Sequence, residues 1–317
     1  MVSASAAGKA ILFGEHAVVY GRPAIAIPIS DRRATASAIP LDGGEGIWIV
    51  AEDLAETYRL DRTYDDDDRA RPLQVTVRNV LEHLDVDPEQ EALRIVVHSR
   101  IPIASGLGSG TAVATAMVRA LAAHYGRDLA PEMVSCLVYE TEVLLHGTPS
   151  GIDNTVVAYE KPVCFRQGEV EFFSVKKTLT LLVADTGIPS RTRDTVDAVR
   201  KRWQEKRRTY EMLFDRIGDL TERAREALED GDLSRVGRLM NANQNLLSQL
   251  RVSSPALNTL VEAAHRAGAL GAKLSGGGRG GCMLALAEEE TRQNIRRALL
   301  DAGAAEVMAT SVSASFV

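Results

Sequence analysis

The sequence predicts an α+β fold built in two layers. Three observations predict it. Strand patterns cluster before residue 51, a glycine loop joins a strand to a helix near residue 105, and a mostly helical stretch, 194–267, leads to a second glycine loop set between two strands. Strands and helices thus come in blocks, not in the steady alternation of a doubly wound sheet.

Taken in order, residues 1–29 read as short strands around Phe13-Gly-Glu-His16, with Tyr20-Gly-Arg-Pro23 as a turn and 24–29 as the next strand. Residues 34–39 and 46–50 continue the β-rich region across the turn Asp42-Gly-Gly44. The run Asp65-Asp-Asp-Asp68 reads as a solvated loop, since nothing makes its carboxylates converge. Val77, Val80, Leu81 and Leu84 mark a helix that ends before Pro88. In 92–99, Leu93, Ile95 and Val97 alternate with other residues as a half-buried strand does. Val113, Ala116, Met117, Ala120 and Leu121 form a helical stripe, and Val134, Leu137, Val138, Thr141 and Leu145 form another that opens at Pro131. That helix sets Glu142 and His146 on one face and breaks at the polar loop 147–154. A hairpin through Gln167-Gly168 and a buried strand at 179–184 follow, then a loop at 186–193. Helical breaks are expected near Gly218, Gly231 and Pro255, and 201–208 reads as the basic exposed face of one long helix. Strands at 272–274 and 282–286 flank the second glycine loop, and a helix at 288–302 and a strand at 307–317 complete the chain.

Composition narrows the function classes. With 317 residues, 45% hydrophobic and 25% charged, the chain suits one large domain or two packed ones, and the expected change lies near Lys176-Lys177. A formal charge of −6 argues against general binding to nucleic acid or to an anionic membrane. Cys136, Cys164 and Cys282 lack metal-ligand spacing and read as reduced core residues of a cytoplasmic protein.

The chemistry starts at the first glycine loop. Glycines let backbone N–H groups approach an anion, and the free N–H groups of a helix's first turn favour phosphate. The candidate phosphate residues are Ser105, Gly106, Leu107, Gly108, Ser109, Gly110 and Thr111. A plain turn with an N-cap serine reads the same way. Neither the Walker A pattern nor the dinucleotide fingerprint is present, so a nucleotide would need its metal and lysine from elsewhere. Glu142, with a hydroxyl from Ser109 or Thr111, is the candidate metal site, Lys9 the candidate cation and Asp153 the candidate base.

Ala7-Gly-Lys-Ala-Ile-Leu-Phe-Gly-Glu-His-Ala-Val-Val-Tyr-Gly21 resembles the first motif of the GHMP kinase superfamily, in the form of its mevalonate-phosphorylating branch. Pro102-Ile-Ala-Ser-Gly-Leu-Gly-Ser-Gly-Thr-Ala112 resembles its phosphate loop, and His146-Gly-Thr-Pro-Ser-Gly-Ile-Asp-Asn154 its catalytic-aspartate segment. Gly271-Ala-Lys-Leu-Ser-Gly-Gly-Gly-Arg-Gly-Gly-Cys282 resembles its third motif.

The resemblance implies a two-domain GHMP kinase fold, 1–177 holding nucleotide and 178–317 the C-terminal domain, with the site in the cleft between them and the last strand packing back on the first half. It implies mevalonate and ATP as substrates and Mg²⁺ as cofactor; a homodimer is expected, and the net charge already argues against nucleic acid and membrane as partners. Asp153 and Lys9 would be catalytic, and Glu142 with Ser109 would hold the metal. Glu15, His16, Ser150, Thr192 and Arg193 would face the substrate, with Arg193 on its carboxylate. Phosphomevalonate, homoserine, another mevalonate hydroxyl and a silent ligand-binding homologue are the rival readings. Three departures stand out. Ala7 replaces a proline; Gly110 replaces the serine whose hydroxyl usually ligates Mg²⁺; Gly277 and Arg279 stand where alanine and glycine are common. Arg279 is left between meeting a phosphate and capping its loop.

Overall fold

The computed structural model describes residues 1–64, 69–103, 105–146, 150–190 and 192–313, without the side chains of 145 and 146. The aspartate run 65–68, the 147–149 part of the polar loop, the side chain of His146 and the end of the expected last strand fall outside them.

Two compact units emerge. The first comprises Met1–Gly8, Arg32–Pro102 and Gly108–Glu160, and the second Lys9–Asp31, Ile103–Leu107 and Lys161–Val317. The strands β1 (Val2–Phe13) and β2 (Ala24–Pro40) run through both.

In the first unit, β3 (Gly46–Ala51) pairs in parallel with β5 (Ala92–Ser99) and antiparallel with β4 (Glu56–Arg59), while residues 34–40 of β2 pair antiparallel with β5. Every second residue of β5, namely Leu93, Ile95 and Val97, is buried, as the alternation requires. Four helices form the other layer: α1 (Ala70–His83), α2 (Ser109–His124), α3 (Pro131–His146) and α4 (Ile152–Tyr159). Val77, Val80 and Leu81 of α1 and Met117, Ala120 and Leu121 of α2 are fully or almost fully buried. A buried hydroxyl pair, Thr76 with Thr141 at 2.8 Å, joins α1 to α3.

In the second unit, residues 24–26 of β2 pair with β6 (Val163–Arg166), which forms a hairpin with β7 (Glu169–Phe172). A separate antiparallel sheet runs β11-β8-β10-β9, from β8 (Leu179–Asp185), β9 (Gly271–Leu274), β10 (Cys282–Ala287) and β11 (Glu306–Val312). The helices are α5 (Thr192–Glu205), α6 (Arg207–Asp230), α7 (Leu233–Gln249), α8 (Pro255–Arg266) and α9 (Arg292–Asp301). Leu182, Ala184, Leu274, Met283 and Ala285 of the sheet share one core with Phe214, Ile217, Leu247, Leu257 and Leu299 of the helices.

The backbones of α7 and β9 touch. A Cβ built on Gly237 would lie 2.3 Å from the Leu270 carbonyl oxygen, and one on Gly271 would lie 2.3 Å from that of Gly237. Three polar side chains of α7 use this closeness. Asn241 Oδ1 accepts the Ala272 N–H and Gln244 Oε1 the Leu274 N–H, both at 2.9 Å, while Asn243 reaches Glu15.

Several expectations are corrected. Residues 24–29 and 34–39 are one strand, β2, which runs on through the polar Ser30–Arg33 stretch; Arg33 there grips both Glu160 oxygens, at 2.7 and 2.9 Å. The polar loop ends early: Asp153 and Asn154 lie in the first turn of α4, which starts after Gly151 at φ 86°. Gly218 is inside α6; its missing side chain admits Arg22, whose Cγ would lie 3.1 Å from an added Cβ. The basic stretch 201–208 spans a helix break at Lys206, not one continuous helix. Thr192 and Arg193 open α5 instead of closing a loop, and α9 begins only at Arg292, after the turn closed by Thr291 N–H on the Glu288 carbonyl. Cys164 and Cys282 are buried but Cys136 is exposed; all three are free thiols. Among the described residues no helix is long and apolar enough to cross a membrane.

Candidate active site

The first glycine loop leads into α2 through two left-handed glycines, Gly106 at φ 83° and Gly108 at φ 73°, with Gly108 as the N-cap. Such angles are cheap only for glycine. Gly108 has no side chain with which to cap the helix, whose first-turn N–H groups begin at Ser109 and point toward where an anion would bind. Leu107, buried beneath the loop, accepts the Lys9 N–H at 2.9 Å and fixes the loop to β1 beside that lysine. The Lys9 side chain is itself buried.

The second glycine loop lies against the first. Ser275 donates to the Ile11 carbonyl at 3.0 Å, and a Cβ on Gly281 would come within 2.9 Å of the Ser105 carbonyl oxygen. Arg279 adopts φ 62° where glycine would be at ease, and its N–H is held by the Val252 carbonyl at 2.7 Å. An alanine at Gly277 would press its Cβ to 3.0 Å from Thr192 Cα, so the start of α5 would have to give by a few tenths of an ångström.

At the start of α2 the hydroxyls part company. Thr111 donates to Glu142 Oε1 at 2.6 Å, with both residues buried, whereas Ser109 Oγ lies 3.2 Å from Ser99 Oγ. Gly110 between them offers no oxygen ligand from a side chain. A carboxylate and a hydroxyl are hard oxygen donors of the kind Mg²⁺ takes. Among the described residues no group of three or more His, Cys, Asp and Glu could hold a metal, so a divalent ion here would complete its shell with phosphate oxygens and water.

Asp153 occupies the electropositive first turn of α4. Its neighbours hold that turn in place: Asn154 donates to Ser135 Oγ at 2.9 Å, and Thr155 to the Gly151 carbonyl at 2.7 Å. Ser150 is exposed, and its hydroxyl accepts the Ile152 N–H at 3.4 Å.

Glu15 and His16 are both buried, but they do different things. One Glu15 oxygen pairs with the fully buried Lys273 and the other accepts from Asn243 at 3.1 Å. Both carboxylate oxygens are therefore engaged inside the protein. His16 stands at φ 63°, and its Nε2 lies 3.0 Å from the Gly277 carbonyl. A carbonyl only accepts, so Nε2 carries the proton and Nδ1 of the neutral ring is an acceptor. Burial lowers the His16 pKa to about 4; the bond to Gly277 opposes this, and the charges of Arg202 and Arg279 add to it. Thr192 lies against Gly277, while Arg193 is exposed on the first turn of α5.

The first unit therefore brings together Ser109, Gly110, Thr111 and Glu142, and places Ser150 and Asp153 at the entry to α4. The second gathers Lys9, Glu15, His16, Ser105, Gly106, Leu107 and Thr192. Sequence reasoning missed Lys273, although a lysine between Ala272 and Leu274 in an apolar strand needs a buried partner.

A pH dependence follows from His16. Its folded pKa lies below the unfolded value of 6.5, so the unfolded chain binds the proton first. The associated stability is complete above 6.5 and is lost as pH falls toward 4. From pH 7 to pH 5 the wild type should lose about 2 kcal/mol more unfolding free energy than His16→Gln. Denaturant titrations at the two pH values check this, and equal losses would contradict it.

Family models match two segments: GHMP kinases N terminal domain over residues 73–161, and GHMP kinases C terminal over 224–305. The chain is 38% identical to the mevalonate kinase of Thermococcus sibiricus over 302 residues, 91% of this chain and 90% of that protein. It is also 38% identical to that of Pyrococcus horikoshii over 305 residues, 92% and 90% of the two. Among solved structures it is similar to L. major mevalonate kinase in complex with R-mevalonate, with a TM-score of 0.85 and 33% identity over 100% of this chain and 97% of that one.

Proposed function

The chain belongs to the GHMP kinases and, within them, to the mevalonate kinases, and from that membership we propose that it transfers the γ-phosphoryl group of ATP to the C5 hydroxyl of (R)-mevalonate. The observation that carries this reading is similarity to mevalonate kinases along nearly the whole length, with Lys9, Glu142 and Asp153 all present.

Phosphoryl transfer asks a protein mainly for position and for charge to meet the charge spread over the transferring oxygens. Asp153 takes the proton of the acceptor hydroxyl as its oxygen attacks phosphorus. Lys9 brings its positive charge to the transferring group, and the N–H groups opening α2 cradle the phosphates. Glu142, with Thr111 or Ser109, would hold Mg²⁺, which when bound neutralises charge on the β- and γ-phosphate oxygens. His16 Nδ1 accepts from a substrate hydroxyl, and Glu15, held by Lys273 and Asn243, anchors the chain at the residue before His16.

ADP release in a coupled assay tests the reading, with mevalonate, 5-phosphomevalonate and homoserine offered separately to the enzyme with ATP and Mg²⁺. Turnover on mevalonate alone is expected. Turnover on a different acceptor would move the chain elsewhere among the GHMP kinases. Nucleotide binding with no turnover on any of the three would favour the silent homologue that Gly110 suggests.

A further inference from the structure

Arg202 lies in the last turn of α5, and its Nε and Nη2 atoms are buried with no hydrogen-bond partner among the described residues. Leaving buried N–H donors unmatched destabilises a fold, so each such group calls for a reason. These two atoms form the side of the guanidinium that grips a carboxylate with two parallel bonds. The same chain uses that fork at Arg59, whose Nε and Nη2 hold the two Asp61 oxygens at 2.9 and 2.7 Å. At Arg202 the fork meets no carboxylate among the described residues.

Its surroundings point to an incoming anion. The charges of Arg202 and Arg279 both reach the His16 ring, and that ring stays neutral with Nδ1 as an acceptor. Glu15, the carboxylate next to His16, is engaged by Lys273 and Asn243. Arg193, which the family resemblance implied for the carboxylate, is exposed at the other end of α5. Two cations beside a neutral acceptor suit a molecule that carries both a carboxylate and a hydroxyl group.

We propose that Arg202 binds the carboxylate of the acceptor through its Nε–Nη2 fork, with Arg279 adding positive potential and His16 accepting from a substrate hydroxyl. This rests on the reading of the acceptor as mevalonate and identifies the residue that makes the enzyme select an acid.

The test compares mevalonate with the triol in which a hydroxymethyl group replaces the carboxylate, using wild type, Arg202→Gln and Arg202→Lys. Arg202→Gln should raise KM for mevalonate about 30-fold with a much smaller change in kcat, and leave kcat/KM for the triol unchanged. Arg202→Lys keeps the charge without the fork and should fall between. Calorimetric titration of mevalonate without ATP should show the same loss of affinity. Thermal melting reads the structural alternative: because the fork has no partner among the described residues, Arg202→Gln should keep its Tm. An unchanged mevalonate KM in both variants, or an unchanged preference for acid over triol, overturns the proposal. A lowered Tm with mevalonate affinity retained would do so too, by assigning Arg202 to the fold. Wild-type turnover of mevalonate is the control: its absence defeats the acceptor assignment itself and takes this proposal with it.

Discussion

Asp153→Asn is expected to lower kcat by about 10²–10⁴-fold and to leave ATP affinity essentially unchanged. The substitution is nearly isosteric, and the first turn of α4 should persist because Asn154 and Thr155 anchor it independently of residue 153. What disappears is the oxygen able to take the proton of the attacking hydroxyl. An amide cannot do this at any accessible pH, so the loss should not recover as pH is raised. Steady-state kinetics with mevalonate, paired with a fluorescent-nucleotide titration, separates the effects. Turnover close to wild type would remove Asp153 from the proton transfer and leave catalysis to Lys9 and the loop N–H groups.

Lys273→Met should cost about 3–5 kcal/mol of stability, because it leaves the Glu15 charge buried without its counter-ion. The buried ammonium also donates to the Leu274 carbonyl at 2.6 Å, so a second acceptor is orphaned. The double variant Lys273→Met with Glu15→Gln should recover much of the loss, since breaking one side of a buried pair costs more than replacing both. Urea unfolding of the two singles and the double closes the cycle. A single-variant cost under about 1 kcal/mol would mean that solvent reaches the pair.

What could be read from the sequence divides along physical lines. Period and punctuation located most elements: alternation of Leu93, Ile95 and Val97 fixed β5, and Pro131 marked the start of α3. The eight-residue α4 escaped because its first turn is made of residues that equally suit a loop, and only burial of Ile152, Val156 and Val157 identifies it. Gly218 reads as a breaker in sequence but as a packing site in space, a distinction that depends on Arg22, far away along the chain. The same holds in the site. Glycine loops and their phosphate chemistry are local and legible. The partners of Glu15 and the unmatched fork of Arg202 are set by contacts across 258 positions in one case and by burial in the other, and no motif records them.

The side-chain amides of α7 along β9 have a consequence beyond the site. The outermost strand of a sheet offers a row of N–H and C=O groups to which a strand from another molecule can bind, and this is a common start of aggregation. In β9 the N–H groups of Ala272 and Leu274 are already occupied by Asn241 and Gln244. With the glycine contact drawing the helix so close, that edge is covered from within, so neighbouring molecules in a concentrated solution find no template there.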